Sequence, residues 1–263
     1  MELRIIHDKN EIENFLKDKN KANYMFHLND IEDDFWGYSQ FYGIYDDNIL
    51  KSTAILSIKY GTPILLASSY VKEDKYQDAL LKEIDKFLPR ELYCHLNMGA
   101  YKYLNTNRNV VAKEEFYNMK LNKEKFDDFC SDFHSDIEAV KINPSEKENL
   151  IHFFENNYPD YMLEEIFLNQ ELFYGIRKNG EIVSVCGVFS DSKDVIQIGN
   201  VVTNIDYRRK GFAERCIYEV IKNCMDMNKE IVLNVLKSNT KAYNLYNKMG
   251  FEVIGEFEEV VFE

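Results

Sequence analysis

The run Val201-Val202-Thr203-Asn204-Ile205-Asp206-Tyr207-Arg208-Arg209-Lys210-Gly211-Phe212-Ala213 joins the end of a strand to the start of a helix through a basic turn. Val195 to Thr203 reads as a β-strand. Beyond the turn, Phe212, Ala213, Cys216, Ile217, Val220, Ile221, Cys224 and Met225 recur at helical spacing. Glu214, Arg215, Glu219, Lys222 and Asn223 fall on the opposite side. The first turn of a helix leaves N–H donors unpaired, and its dipole is positive there, so a helix start attracts anions. Gly211 and Ala213 let an anion reach the backbone without meeting a bulky Cβ. With Arg208, Arg209 and Lys210 alongside, the turn suits a pyrophosphate. Taken alone, it also reads as a surface turn with a basic cluster before an ordinary core helix.

The next segments narrow that choice. Ile231 to Leu236 reads as a buried strand. Asn239 then makes a good N-cap, Ala242, Leu245, Tyr246 and Met249 share a helical face, and Gly250 is a helix stop. In these residues, from about 136 to 263, the chain resembles the GNAT (GCN5-related) N-acetyltransferases. Their acetyl-CoA loop, Q/R-x-x-G-x-G/A, is matched by Arg208, Gly211 and Ala213. Their following strand and helix, N-x-x-A-x-x-x-Y-x-x-x-G-F, are matched by Asn239, Ala242, Tyr246, Gly250 and Phe251.

The resemblance implies an α/β (α+β) fold with a mixed, mostly antiparallel sheet flanked by helices. It implies acetyl-CoA as co-substrate and direct transfer of the acetyl group to an amine. The backbone of Val201, Val202 and Thr203 would meet the pantetheine arm where this strand parts from the one near Leu233. Arg208, Arg209, Lys210, Gly211, Phe212 and Ala213 would hold the pyrophosphate. Asn239 would hydrogen-bond the pantetheine, and Tyr246 would protonate the departing thiolate. A tyrosine on a helix face also reads as core packing with its hydroxyl at the edge. Some members of the family carry a glutamate base four positions before the residue matching Val201. Here that position is Gln197, which takes no proton at neutral pH. Glu155, Glu164, Glu165 and Glu171 are candidates for a base by rough location, alongside residues of the first half. A non-catalytic acyl-CoA-binding or regulatory module is the alternative function.

The first half repeats the second. Phe41-Tyr42-Gly43-Ile44 matches Phe173-Tyr174-Gly175-Ile176, with Ser52 equivalent to Ser184. Ala100-Tyr101 matches Ala242-Tyr243, and Asn105, Val111 and Glu114 match Asn247, Val253 and Glu256. A tandem of GNAT-like domains follows, with boundaries 1–121, a charged linker over 122–135, and 136–263. The first half offers strands near Pro63 to Ser68 and Glu91 to Leu96 around a helix near Glu73 to Leu88. After the linker, Ile137 to Ile142 reads as a strand, and Asn143-Pro144-Ser145-Glu146 opens a helix. Phe251 to Phe262 reads as one long strand or a very tight pair. Where the second half has its basic turn, the first has Ser68-Ser69-Tyr70-Val71-Lys72-Glu73-Asp74-Lys75, without glycine and with two carboxylates. It keeps the fold without the cofactor loop, and its expected role is to cover the second half and supply part of the acceptor pocket.

Composition limits the rest. The formal charge of -13 over 263 residues argues against a nucleic-acid partner. Cys94, Cys130, Cys186, Cys216 and Cys224 lack C-x-x-C spacing and suit reduced thiols, with Cys216 and Cys224 as packing residues. The histidines show no ligand spacing, so no metal is expected. Neither a signal-peptide core nor a membrane-length apolar run is present, which points to the cytoplasm and no membrane partner. The expected partner is a small-molecule or peptide amine.

Overall fold

The computed structural model describes all 263 residues except Lys72, Glu73, Asn105, Thr106, Asn107, Asp160, Met162 and Glu164. The sequence-based readings at Glu73, Asn105 and Glu164 therefore lie outside the described residues. In chain order the elements are β1 (Glu2–Ile6), α1 (Lys9–Leu16), α2 (Met25–Asp30), α3 (Asp33–Trp36), β2 (Ser39–Asp46), β3 (Ile49–Ser57), β4 (Ile64–Ala67), α4 (Lys75–Ile84), β5 (Leu92–Leu96) and β6 (Val110–Leu121). There follow α5 (Lys123–Asp132), β7 (Val140–Lys141), α6 (Lys147–Asn157), α7 (Glu165–Asn169), β8 (Phe173–Lys178), β9 (Glu181–Asp191), β10 (Val195–Thr203), α8 (Phe212–Met225), β11 (Glu230–Leu236), α9 (Thr240–Lys248) and β12 (Phe251–Phe262).

Contacts divide the chain into two units. Unit 1 is Met1–Met119 with Asn234–Tyr243 and Val253–Glu263; unit 2 is Lys120–Leu233 with Asn244–Glu252. In unit 1 the strands run in the order β1-β2-β3-β4-β5-β12-β6, with β4 and β5 parallel and β12 antiparallel to β5. In unit 2 the order is β11-β10-β9-β8-β7, with only β10 and β11 parallel. Each unit is thus a mixed, mostly antiparallel sheet with helices packed on it.

The repeat is visible in the register of two hairpins. Phe41 faces Ile55, Ile44 faces Ser52 and Asp46 faces Ile49 in β2–β3; Phe173 faces Gly187, Ile176 faces Ser184 and Lys178 faces Glu181 in β8–β9. Every pair of the second hairpin reproduces a pair of the first by the shift that carries Phe41 to Phe173. The register break also recurs, after Ile44 and after Ile176. Both turns use two left-handed residues, Asp47-Asn48 and Asn179-Gly180, the backbone that matches the twist of a two-residue hairpin.

In unit 1, Leu80, Leu81 and Ile84 of α4 meet Ile44, Leu65, Cys94, Val260 and Phe262 in one buried cluster. The amphipathic spacing of α4 explains its orientation, and Asp74 closes its start by accepting from Tyr76 N and Gln77 N. In unit 2, Cys216, Ile217, Val220, Ile221 and Cys224 form the buried face of α8, which packs on β8, β9 and β10. A Cβ on Gly187 would lie 2.2 Å from the ring of Phe173, its cross-strand partner, so glycine is what lets that ring lie against the sheet.

Two segments differ from expectation, and a third settles between two expected forms. The stretch 122–135, expected as a linker, forms α5 over Lys123–Asp132. Its charged composition hides Phe126, Phe129 and Phe133, which stack along one face with Tyr218. The strand expected over 137–142 shortens to Val140–Lys141, followed by the anticipated helix start at Asn143-Pro144-Ser145-Glu146, where Asn143 N donates to Glu146 Oε2 at 3.0 Å. The end of the chain is a single long strand, and Glu258–Phe262 pair with β5.

Candidate functional site

The basic turn of unit 2 leads from β10 into α8 as expected. Thr203 stands at the end of the β9–β10 ladder opposite Ser184, and the two hydroxyls are 2.7 Å apart. Arg208 folds back so that Nε donates to the Thr203 carbonyl at 3.0 Å, and Lys210 Nζ donates to the Asp206 carbonyl at 3.0 Å. The turn is therefore closed by its own cations. Arg209 and Gly211 both have positive φ, 61° and 78°. Left-handed backbone at these two positions turns the chain sharply into α8. Gly211 is the N-cap and offers no side-chain acceptor. The N–H groups of Gly211, Phe212 and Ala213 find no acceptor among the described residues. Phe212 is buried and stacks with Tyr207, which fixes the approach of the turn to the helix.

A second feature lies one strand earlier. β10 and β11 pair in parallel only over Val195–Gln197 with Glu230–Val232. From Ile198 onward no ladder pair joins them among the described residues. On its other edge β10 bulges between Gly199 and Val202, and Asn200 takes φ 51°. Asn200 and Val201 are therefore out of the β9 ladder, while Val202 and Thr203 remain in it. Such bulges re-aim backbone groups. A Gly-Asn pair inside a strand is the sequence signal for this break, and the sequence reading did not use it. At Gln197, Oε1 is buried without a partner among the described residues, as is Asn200 Nδ2.

Tyr246 lies on α9 in unit 2, only 7% exposed, edge-on to Phe251 and beside Cys186. Burial pushes its phenol well above the usual tyrosine range, so the hydroxyl stays protonated at any physiological pH. Lys248 Nζ donates to Glu214 Oε1 at 2.5 Å, tying the end of α9 to the first turn of α8. Asn239 falls in the part of the chain assigned to unit 1; its Oδ1 accepts from Ala242 N at 3.2 Å and caps α9. Unit 2 thus holds Val201, Val202, Thr203, the turn Arg208 to Ala213 and Tyr246.

The side chains expected as bases stand differently. Glu165 pairs with Lys147 at 2.7 Å, Glu171 with Lys141 at 3.6 Å, and Glu155 is exposed. Cys216 and Cys224 are fully buried, and burial raises each thiol to about 12, so both act as packing residues. Among the described residues no group of three or more His, Cys, Asp or Glu could hold a metal ion. Nor is any described helix long and apolar enough to cross a membrane.

Residues 140–251 match the model of the acetyltransferase (GNAT) family. The second half of this chain is a GNAT domain. Solved structures extend the likeness to the whole length as fold alone. An X-ray structure of a Drosophila protein is 13% identical with TM-score 0.67, covering 99% of this chain and 98% of that one. A tandem GNAT protein from the clavulanic acid biosynthesis pathway is 9% identical with TM-score 0.59, covering 99% and 97%. A GNAT-family acetyltransferase from Colwellia psychrerythraea is 11% identical with TM-score 0.58 over all of both chains. No curated protein matches in sequence. The GNAT domain places the protein among acyltransferases in general, and the architecture of the chain is a tandem of GNAT-like folds.

Proposed function

We propose that the GNAT domain transfers the acetyl group of acetyl-CoA to a primary amine of a small molecule or peptide. The observation that carries this reading is the uncapped start of α8. Gly211 leaves N–H groups free at the positive end of a long helix, behind a cationic turn. The parting of β10 from β11 after Gln197 leaves backbone groups of β10 free to meet the pantetheine arm. In the reaction the amine nitrogen attacks the thioester carbonyl, a C–N bond forms and the C–S bond breaks. The thiolate takes the Tyr246 proton, and the surplus proton on nitrogen leaves to water. Tyr246 is protonated at neutral pH, as a proton donor must be.

Calorimetry with acetyl-CoA tests the reading, with Gly211→Glu as control. One-site binding that the variant loses supports it; absence of binding in the parent protein overturns it.

A second reading is a domain that binds acyl-CoA without turning it over. Gln197 in place of a carboxylate favours it, as do the outward ion pairs of Glu165 and Glu171. It requires cofactor binding with no product from any amine and indifference to Tyr246→Phe.

A further inference from the structure

One face of unit 1 gathers chemistry that the GNAT reading of unit 2 does not use. Glu259 of β12 faces His95 of β5 in register. Tyr93, two residues earlier on β5, donates its hydroxyl to Glu259, and His95 Nε2 lies 3.4 Å from Glu259 Oε1. His95 Nδ1 is buried with no partner among the described residues. Beside the carboxylate runs an aromatic stack: His95 on Phe257 at 5.3 Å, and Phe257 on Phe116 at 5.3 Å. Phe26 closes edge-on to His95 at 4.9 Å and Tyr70 edge-on to Phe257 at 5.7 Å. Tyr70 reaches this position because β12 has Gly255 beneath it, where a Cβ would come within 2.7 Å of the ring.

The charge balance of this face is incomplete. Its neighbour in sequence, Glu258, has Lys113 at 3.6 Å. Glu259 has no lysine or arginine partner among the described residues. Burial holds His95 neutral, lowering it to about 3, and raises Glu259 to about 7, with Glu114 of β6 adding to the rise. The side chain of Glu259 nonetheless keeps 17% of its surface open to solvent. A carboxylate that lacks a cation, set among aromatic rings and reachable from solvent, matches an ammonium group on an apolar body.

We propose that this face of unit 1 binds a primary amine with a flat apolar body, its ammonium paired with Glu259 and its body packed on Phe26, Phe116 and Tyr70. The site stands on unit 1 alone and is independent of transfer in unit 2, so either can fail without the other.

Calorimetry of the full chain with phenethylamine tests it, with 2-phenylethanol as the uncharged control. The expected result is one-site binding of the amine, at least about tenfold weaker binding of the alcohol, and a similar loss in Glu259→Gln. Glutamine keeps an acceptor for Tyr93, and a melting curve confirms that the variant is folded. A second measurement needs no variant. Besides Glu259, the titratable groups around this face are Tyr24, Tyr70, Tyr93, His95 and Glu114; burial keeps Tyr24 and Tyr70 protonated and His95 neutral, and raises Glu259 to about 7. At about pH 6.5 the amine should displace most of a proton from Glu259, read by repeating the titration in buffers of different ionisation enthalpy. Equal binding of amine and alcohol, unchanged affinity in Glu259→Gln, no proton release, or no binding at millimolar phenethylamine would each overturn the proposal.

Discussion

Asp74 and Gly211 stand at the N-cap of equivalent helices in the two units and do opposite things. Asp74 accepts from Tyr76 N and Gln77 N and closes the start of α4. Gly211 offers no acceptor and leaves the start of α8 open. An anion site and a capped helix compete for the same N–H groups, so this one position sets the two helix starts apart in what they can bind.

Gly211→Asp should convert the second case into the first. The carboxylate would satisfy the free N–H groups and repel a pyrophosphate, lowering acetyl-CoA affinity by at least about thirtyfold. A left-handed φ costs a residue with a Cβ about 1 kcal/mol, partly offset by the new cap, so stability should change little. Calorimetry and a denaturant titration separate the two effects.

Tyr246→Phe should leave acetyl-CoA affinity unchanged and lower kcat by about a hundredfold or more, since only the proton donor is removed. Burial raises the native phenol, so the unfolded chain ionises first as pH climbs. The stability tied to the neutral phenol is complete below about pH 10 and lost above it. The phenylalanine variant should resist alkaline unfolding better than the parent, which a melting series above that pH reads directly.

Unit 1 contains two opposing titrations. Glu259, raised to about 7 from 4.5, gives stability that is full below its unfolded value and lost as pH rises toward neutrality. His95, lowered to about 3, gives stability that is present above its unfolded value of 6.5 and lost as pH falls. Glu259→Gln should therefore gain stability at about pH 8, on the order of 2 kcal/mol, and little at about pH 4. A fall in melting temperature at both values would sink this account.

Asn97 ties the segment after β4 to β5. Its Oδ1 accepts from Ser69 N and Tyr70 N, both at 2.9 Å, and its Nδ2 donates to Ser69 Oγ at 3.0 Å. In unit 1 the parallel pair β4–β5 runs on to Ala67 and Leu96, and this clamp continues the closure where β10 and β11 part in unit 2. Asn97→Ala should destabilise by about 2–4 kcal/mol, because buried N–H groups lose their acceptor, and acetyl-CoA binding should not change. Chemical denaturation beside calorimetry checks both.

The local features were legible in the sequence. Strand, basic turn and amphipathic helix from Val195 to Met225 follow from short-range periodicity and from a glycine at the left-handed position before the helix. The two hairpins declared their kinship through Phe41-Tyr42-Gly43-Ile44 and Phe173-Tyr174-Gly175-Ile176, four identical residues that occupy the same register positions in both. Charge count misled at α5, where three phenylalanines at helical spacing decide the structure against a charged background. The parting of β10 from β11 was expected from the resemblance, whereas the bulge between Gly199 and Val202 was missed, because strand alternation does not reveal an inserted residue.

By itself the sequence determined the strand, turn and helix of the second half, the matching hairpins and which half carries an open helix start, since each is written in residues within a turn or two of one another. Only the tertiary structure decided that the last strand pairs with β5, that Asn97 reaches back to Ser69, and that Glu259 meets His95 and Tyr93. These contacts join residues far apart in the chain. Their energy comes from burial and from pairing of polar groups across strands, neither of which leaves a periodic mark in the order of amino acids.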